Sequence, residues 1–195
     1  MKNSIAISLM LSFLSMNAQN DSEEKLPYYQ IPDYPETYTA GTVAARMVDG
    51  LGFRYYWATE GLRAEDLVFK PNEEARSSAE TIDHIYDLSK VIVNATLQKP
   101  NKSTDEPEMS FEEKRKQTLI NIKTAADILR ASLDLSQFNI VFEREGGNTE
   151  FPFWNNLNGP IGDALWHCGQ VVLLRRSSGN PFNSKASVFT GKVRE

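Results

Sequence analysis

The sequence predicts an all-α fold, a four-helix bundle with a short β-hairpin before the last helix, on three observations. Apolar residues recur at three-and-four spacing in four separate stretches. Two of these stretches open on a Ser-x-x-Glu capping box, Ser77 with Glu80 and Ser110 with Glu113. Strands and helices do not alternate along the chain, which removes the doubly wound and barrel classes. A chain of 195 residues is long enough for one domain with a real core and short for two.

Residues 1–18 read as a signal peptide: Lys2 precedes the apolar run Ile5–Leu14, and the sequence turns polar around the small residue Ala18. About ten apolar residues fall short of the roughly 20 needed to cross a bilayer, so no stable membrane anchor is expected and the mature protein is expected to be exported, periplasmic or secreted. Residues 19–36 carry Pro27, Pro32 and Pro35 among tyrosines, which forbids a regular helix and predicts an extended arm. The bundle proper is expected over 37–178. Its first helix starts at Thr37 with the stripe Ala44, Val48, Leu51, Tyr55 and Ala58, and Gly61 is placed to stop it. The second opens at Ser77 and carries Ile85, Leu88, Ile92 and Ala95.

Residues 98–109 are polar and proline-bearing, the composition of a mobile surface loop. The third helix opens at Ser110 and carries Leu119, Ile122, Ala126, Leu129 and Leu133. The β-prone Phe138–Glu143 stretch, the Gly146-Gly147-Asn148 turn and Glu150–Trp154 form the expected hairpin. Pro160 sits at the first turn of the fourth helix, Ile161 to Arg176, whose closing arginines face the negative end of its dipole. Residues 179–195 remain as a C-terminal tail.

Acidic residues outnumber basic ones 26 to 21, a formal charge of −5, which argues against a nucleic-acid partner or an anionic membrane surface. A small-molecule substrate is the expected partner, and a homodimer is allowed. The single cysteine, Cys168, permits no intrachain disulfide and reads as a small buried hydrophobe. Gly-x-Gly-x-x-Gly, Gly-Lys-Ser/Thr and Gly-x-Ser-x-Gly motifs are all absent.

Chemistry concentrates on the two histidines, each inside a predicted helix. His84 shares a face with Leu88, Val91 and Ala95, which points it toward the bundle interior. Asp163 and His167 are four apart on the fourth helix and therefore stack on one face, with Gln170 continuing it. A carboxylate and an imidazole one turn apart can hold the same cation while His84 supplies a third ligand from a facing helix. The plainer reading is a hydrogen-bonded core histidine beside a helix-terminal ion pair. Glu80 and Asp87 flank His84 at i−4 and i+3 and are the candidates to hold its ring, although Glu80 is more readily spent in the capping box with Ser77.

The segment Arg76-Ser77-Ser78-Ala79-Glu80-Thr81-Ile82-Asp83-His84-Ile85, followed after a long gap by Asp163-Ala164-Leu165-Trp166-His167-Cys168-Gly169-Gln170, resembles the DinB/YfiT-like superfamily of metalloenzymes, which is distinct from the DNA polymerase of the same name. The resemblance spans about residues 40–178. It implies a four-helix bundle holding a divalent metal ion, zinc or nickel, through one histidine of the second helix and a His-x-x-x-His pair of the fourth. His84 and His167 match two of these positions. Asp163 stands where the family usually has its other histidine, a donor that still suits zinc and also manganese or iron. The resemblance further implies a metal-dependent enzyme of the hydrolase or thiol-dependent transferase type. The alternative is a non-catalytic ligand- or metal-binding helical-bundle scaffold, dimeric or not.

Overall fold

The computed structural model describes residues 25–103 and 107–195, and the segment read as a signal peptide lies outside the described residues. The described chain is mostly helical, with a small antiparallel hairpin where the sequence predicts one. None of its helices is long and apolar enough to cross a membrane.

Helix α1 (Ala40–Thr59) begins three residues later than Thr37, because Thr39 and Thr42 form a capping box that fixes the first turn. It ends where Gly61, at φ +67°, adopts a backbone conformation that side-chain-bearing residues avoid. A short helix, α2 (Ala64–Val68), follows; its local pattern is too brief to carry a period. The expected capping boxes open α3 (Ser78–Thr96) and α4 (Phe111–Ala131). In each, the glutamate accepts from the serine N–H, at 2.7 Å for Glu80 and 2.8 Å for Glu113. Leu133, read as the last member of the α4 stripe, lies beyond the helix and is exposed.

Strands β1 (Ile140–Phe142) and β2 (Thr149–Phe151) pair antiparallel, Ile140 opposite Phe151. A single turn, α5 (Trp154–Asn156), runs into a π-helical turn over 157–161 and then into α6 (Gly162–Ser177). Pro160 therefore lies inside a wide turn and not at a clean helix start, and the chain bends at Gly159.

Both α1 and α3 pack against α4 and against α6. The core between them is built from Leu51, Tyr55, Ile82, Ile85, Leu119, Ile122 and Val171, all essentially inaccessible. Arg175 crosses from α6 to donate to the carbonyls of Trp57, Ala58 and Glu60, groups at the end of α1 that its own ladder leaves unpaired. Asp66 is fully buried beside it and accepts from the Arg63 guanidinium, Ser178 Oγ and Asn180 Nδ2, which tethers α2 to the end of α6.

Three segments are more ordered than their composition suggests. Over its described part, residues 25–36, the arm is a docked strap: Tyr28 is buried, its ring lies against Gly52, and its hydroxyl donates to buried Asp49 at 3.2 Å. The tail folds into a second hairpin, β3 (Ala186–Ser187) with β4 (Lys192–Val193). Ile31 N–H donates to Gly191 O at 2.9 Å, and Lys192 reaches the Ile31 carbonyl and Asp33, so strap and tail hold each other. The expectation of a mobile loop over 98–109 is corrected over its first part. Asn101 bridges β1, donating its N–H to Val141 O at 2.7 Å and accepting from Glu143 N–H at 2.9 Å.

Candidate metal centre

His84 is carried by the second turn of α3, Asp163 by the first turn of α6, and His167 by the turn above it. The packing of α3 against α6 brings the three together. One ligand atom from each lies within 4.8 Å of the other two. His84 Nε2 is 3.2 Å from Asp163 Oδ2, and His167 Nε2 is 3.3 Å from Asp163 Oδ1. The two rings stand edge to face with centroids 4.8 Å apart.

The interior position expected for His84 is corrected. The buried stripe of α3 is Ile82, Ile85, Ser89 and Ile92, whereas His84, Leu88 and Val91 run beside it, half-buried. Three-and-four spacing fits either of two neighbouring faces, and the aliphatic one takes the core because burying imidazole costs more. The centre accordingly sits at the rim of the α3–α6 seam. Side-chain exposure grades from 12% at His167 through 34% at His84 to 42% at Asp163, so one side is anchored and the other open to solvent.

Gln170, one turn beyond His167, places Oε1 2.7 Å from its Nδ1. An amide oxygen only accepts, so the Gln170 contact orients the ring with Nδ1 donating to Oε1 and with Nε2 turned toward Asp163. Nε2 and Asp163 Oδ1 at 3.3 Å are close enough for a shared proton or a shared cation to join them. Ligand atoms about 2.0–2.1 Å from a tetrahedral ion stand about 3.3 Å from each other; each histidine–carboxylate pair has that spacing, each through a different oxygen of Asp163, while the set as a whole spreads to 4.8 Å. The donor set of two imidazoles and a carboxylate fits a divalent cation with positions left open. Gln170 does for His167 what Glu80 and Asp87 were candidates to do for His84. Glu80 is held by Ser77, and Asp87 pairs with Lys90 at 3.0 Å.

Beside His167 opens a cavity of about 440 Å³, lined by Gln170 and Leu173 on one wall and by Pro71, Ala75 and Arg76 on the other. Cys168, next in sequence, turns away and is buried, and that burial pushes its thiol up to about 12. It is no ligand, in keeping with the roughly 100° between successive helical residues. Of the tryptophans, Trp57 belongs to the core while Trp154 and Trp166 are exposed. No family model matches this chain, and no curated protein or solved structure matches it either.

Proposed function

We propose that this chain is an exported, DinB-like four-helix bundle that binds one divalent cation through His84, Asp163 and His167 and acts as a metal-dependent hydrolase or thiol-dependent transferase. The observation that carries the reading is the convergence of His84, Asp163 and His167, each offering a ligand atom within 4.8 Å of the other two. A cation bound there supplies Lewis acidity, which makes water or a thiol nucleophilic at neutral pH. The residues of the chain do the rest. Asp163 offers one oxygen toward each histidine, Gln170 orients the ring of His167, and the adjoining cavity admits a small substrate. Arg76 at its wall has no ion-pair partner among the described residues and favours a substrate bearing an anionic group.

The test is elemental analysis of the purified mature protein, joined to turnover assays on ester, amide and thiol substrates with zinc, nickel, manganese and iron(II). Stoichiometric metal with turnover supports the enzyme. A second reading, a non-catalytic bundle that pairs with its own copy, draws on the exposed apolar side chains Tyr38, Val43, Met47, Leu133 and Trp154; a metal-free, persistent dimer without turnover would favour it.

A further inference from the structure

The side of α6 turned away from the candidate metal centre borders a different cavity, of about 210 Å³. At 100° per residue, Leu165, Cys168, Gly169, Val172 and Arg176 fall on the helical face opposite to Asp163, His167 and Gln170. Arg54, Trp57 and Ala58 of α1 form the facing wall, and Phe182 and Val188 close it from the C-terminal segment.

Three features of this cavity go together. Its lining is apolar apart from two guanidinium groups. Arg54 donates to the Gly50 carbonyl at 2.9 Å, and Arg176 stacks over the Phe182 ring at 5.2 Å. Neither meets a carboxylate at ion-pair distance among the described residues; Arg54 is half-buried and Arg176 exposed at the mouth. Finally, Gly169 sits in the interior of α6, where glycine costs about 1 kcal/mol relative to alanine. A Cβ there would meet nothing within 4 Å, so close packing does not demand the glycine; its missing side chain leaves room in the cavity.

We propose that this cavity binds a small monocarboxylate with an apolar body, of the size of an arylalkanoate. The carboxylate sits between Arg54 and Arg176, whose unused N–H groups make charge-assisted hydrogen bonds, and the hydrocarbon part lies along Trp57, Leu165 and Val172 over Gly169. Two cations above an apolar floor select against neutral molecules, which leave both guanidinium groups unpaired, and against small inorganic anions, which leave the floor wet. The site is independent of the proposed metal-binding role because it uses the other face of α6.

Isothermal titration calorimetry of the mature protein with 3-phenylpropionate tests this, with the indole N–H resonance of Trp57 as a second readout. Saturable one-to-one binding is expected, together with a shift of that resonance. The neutral 3-phenylpropionamide should bind at least about tenfold more weakly, and so should 3-phenylpropionate to Arg54→Gln and to Arg176→Gln, the loss of one charged hydrogen-bond partner. Gly169→Leu fills the cavity and should abolish binding while helicity is retained. Asp163→Ala should bind 3-phenylpropionate as the parent does, so the metal reading can fail without touching this one. Absence of saturable binding at low-millimolar ligand overturns the proposal. Equal affinity for acid and amide, or unchanged affinity in both arginine variants, overturns it as well.

Discussion

Gln170 Oε1 stands 2.7 Å from His167 Nδ1 across a single helical turn, which turns Nε2 of the ring toward Asp163. Gln170→Leu should keep all three ligands and the fold, since the side chain is exposed, yet weaken zinc binding by about 10–100-fold. Competition with a fluorescent chelator measures this. Unchanged affinity would remove Gln170 from the site.

The ligands themselves make a stronger demand. His84→Ala, Asp163→Ala and His167→Ala should each lose most of the metal affinity while the apo protein stays folded, because the centre lies at the rim of the seam and not in the core. With free zinc at one hundred times its Kd, the parent gains about 2.7 kcal/mol, a rise in melting temperature of roughly 5–11 °C for a domain of this size. That rise should vanish in the three variants. Asp163→His should keep it and shift preference toward nitrogen-loving ions. Melting curves with and without zinc decide the matter.

Asp66 gives a prediction about acid. The Arg63 guanidinium, first among its partners, with Ser178 and Asn180, holds its carboxyl well below the usual carboxylate range. A group whose folded pKa is depressed contributes stability that is complete above its unfolded value, near 3.9, and fades as pH falls below it. Asp66→Asn should therefore destabilise the protein at neutral pH by about 1–3 kcal/mol, because the buried side chain loses its charge-assisted bonds to Arg63, Ser178 and Asn180, while Arg63 keeps Glu65 as an ion partner. The difference from the parent should shrink between about pH 5 and pH 2, as followed by urea midpoints.

At Gly52, a Cβ would stand 2.4 Å from the Tyr28 ring. Gly52→Ala must push the strap off α1 or distort the helix, at about 1–3 kcal/mol. It should expose residues 25–36 to protease before the rest of the chain. If the strap stays protected, Tyr28 is not the plug that the contact implies.

Features written in neighbouring residues were legible in the sequence: both serine-led capping boxes, the Gly61 stop, the hairpin before α6, and the stacking of Asp163 with His167. Features that join distant segments were not. Asp66 and Asn180 are 114 positions apart, and nothing local to either marks a buried carboxylate. The strap and the tail hairpin fold because each supplies the other's partner, so composition alone left one as an arm and the other as a tail. Periodicity placed His84 on its helix but not on the correct flank, because the choice between adjacent faces is made by the neighbouring helices.

The clasp between Ile31 and Lys192 spans 161 positions. At translation speeds of about 5–20 residues per second, its socket is made roughly 8–30 s after the strap emerges from the ribosome. Tyr28 finds its seat on α1 early, whereas Ile31 waits through that interval for Gly191 and Lys192. The Ile31 end of the strap is therefore locked only after every helix has been made, at a time set by the position of residues 186–193 in the chain.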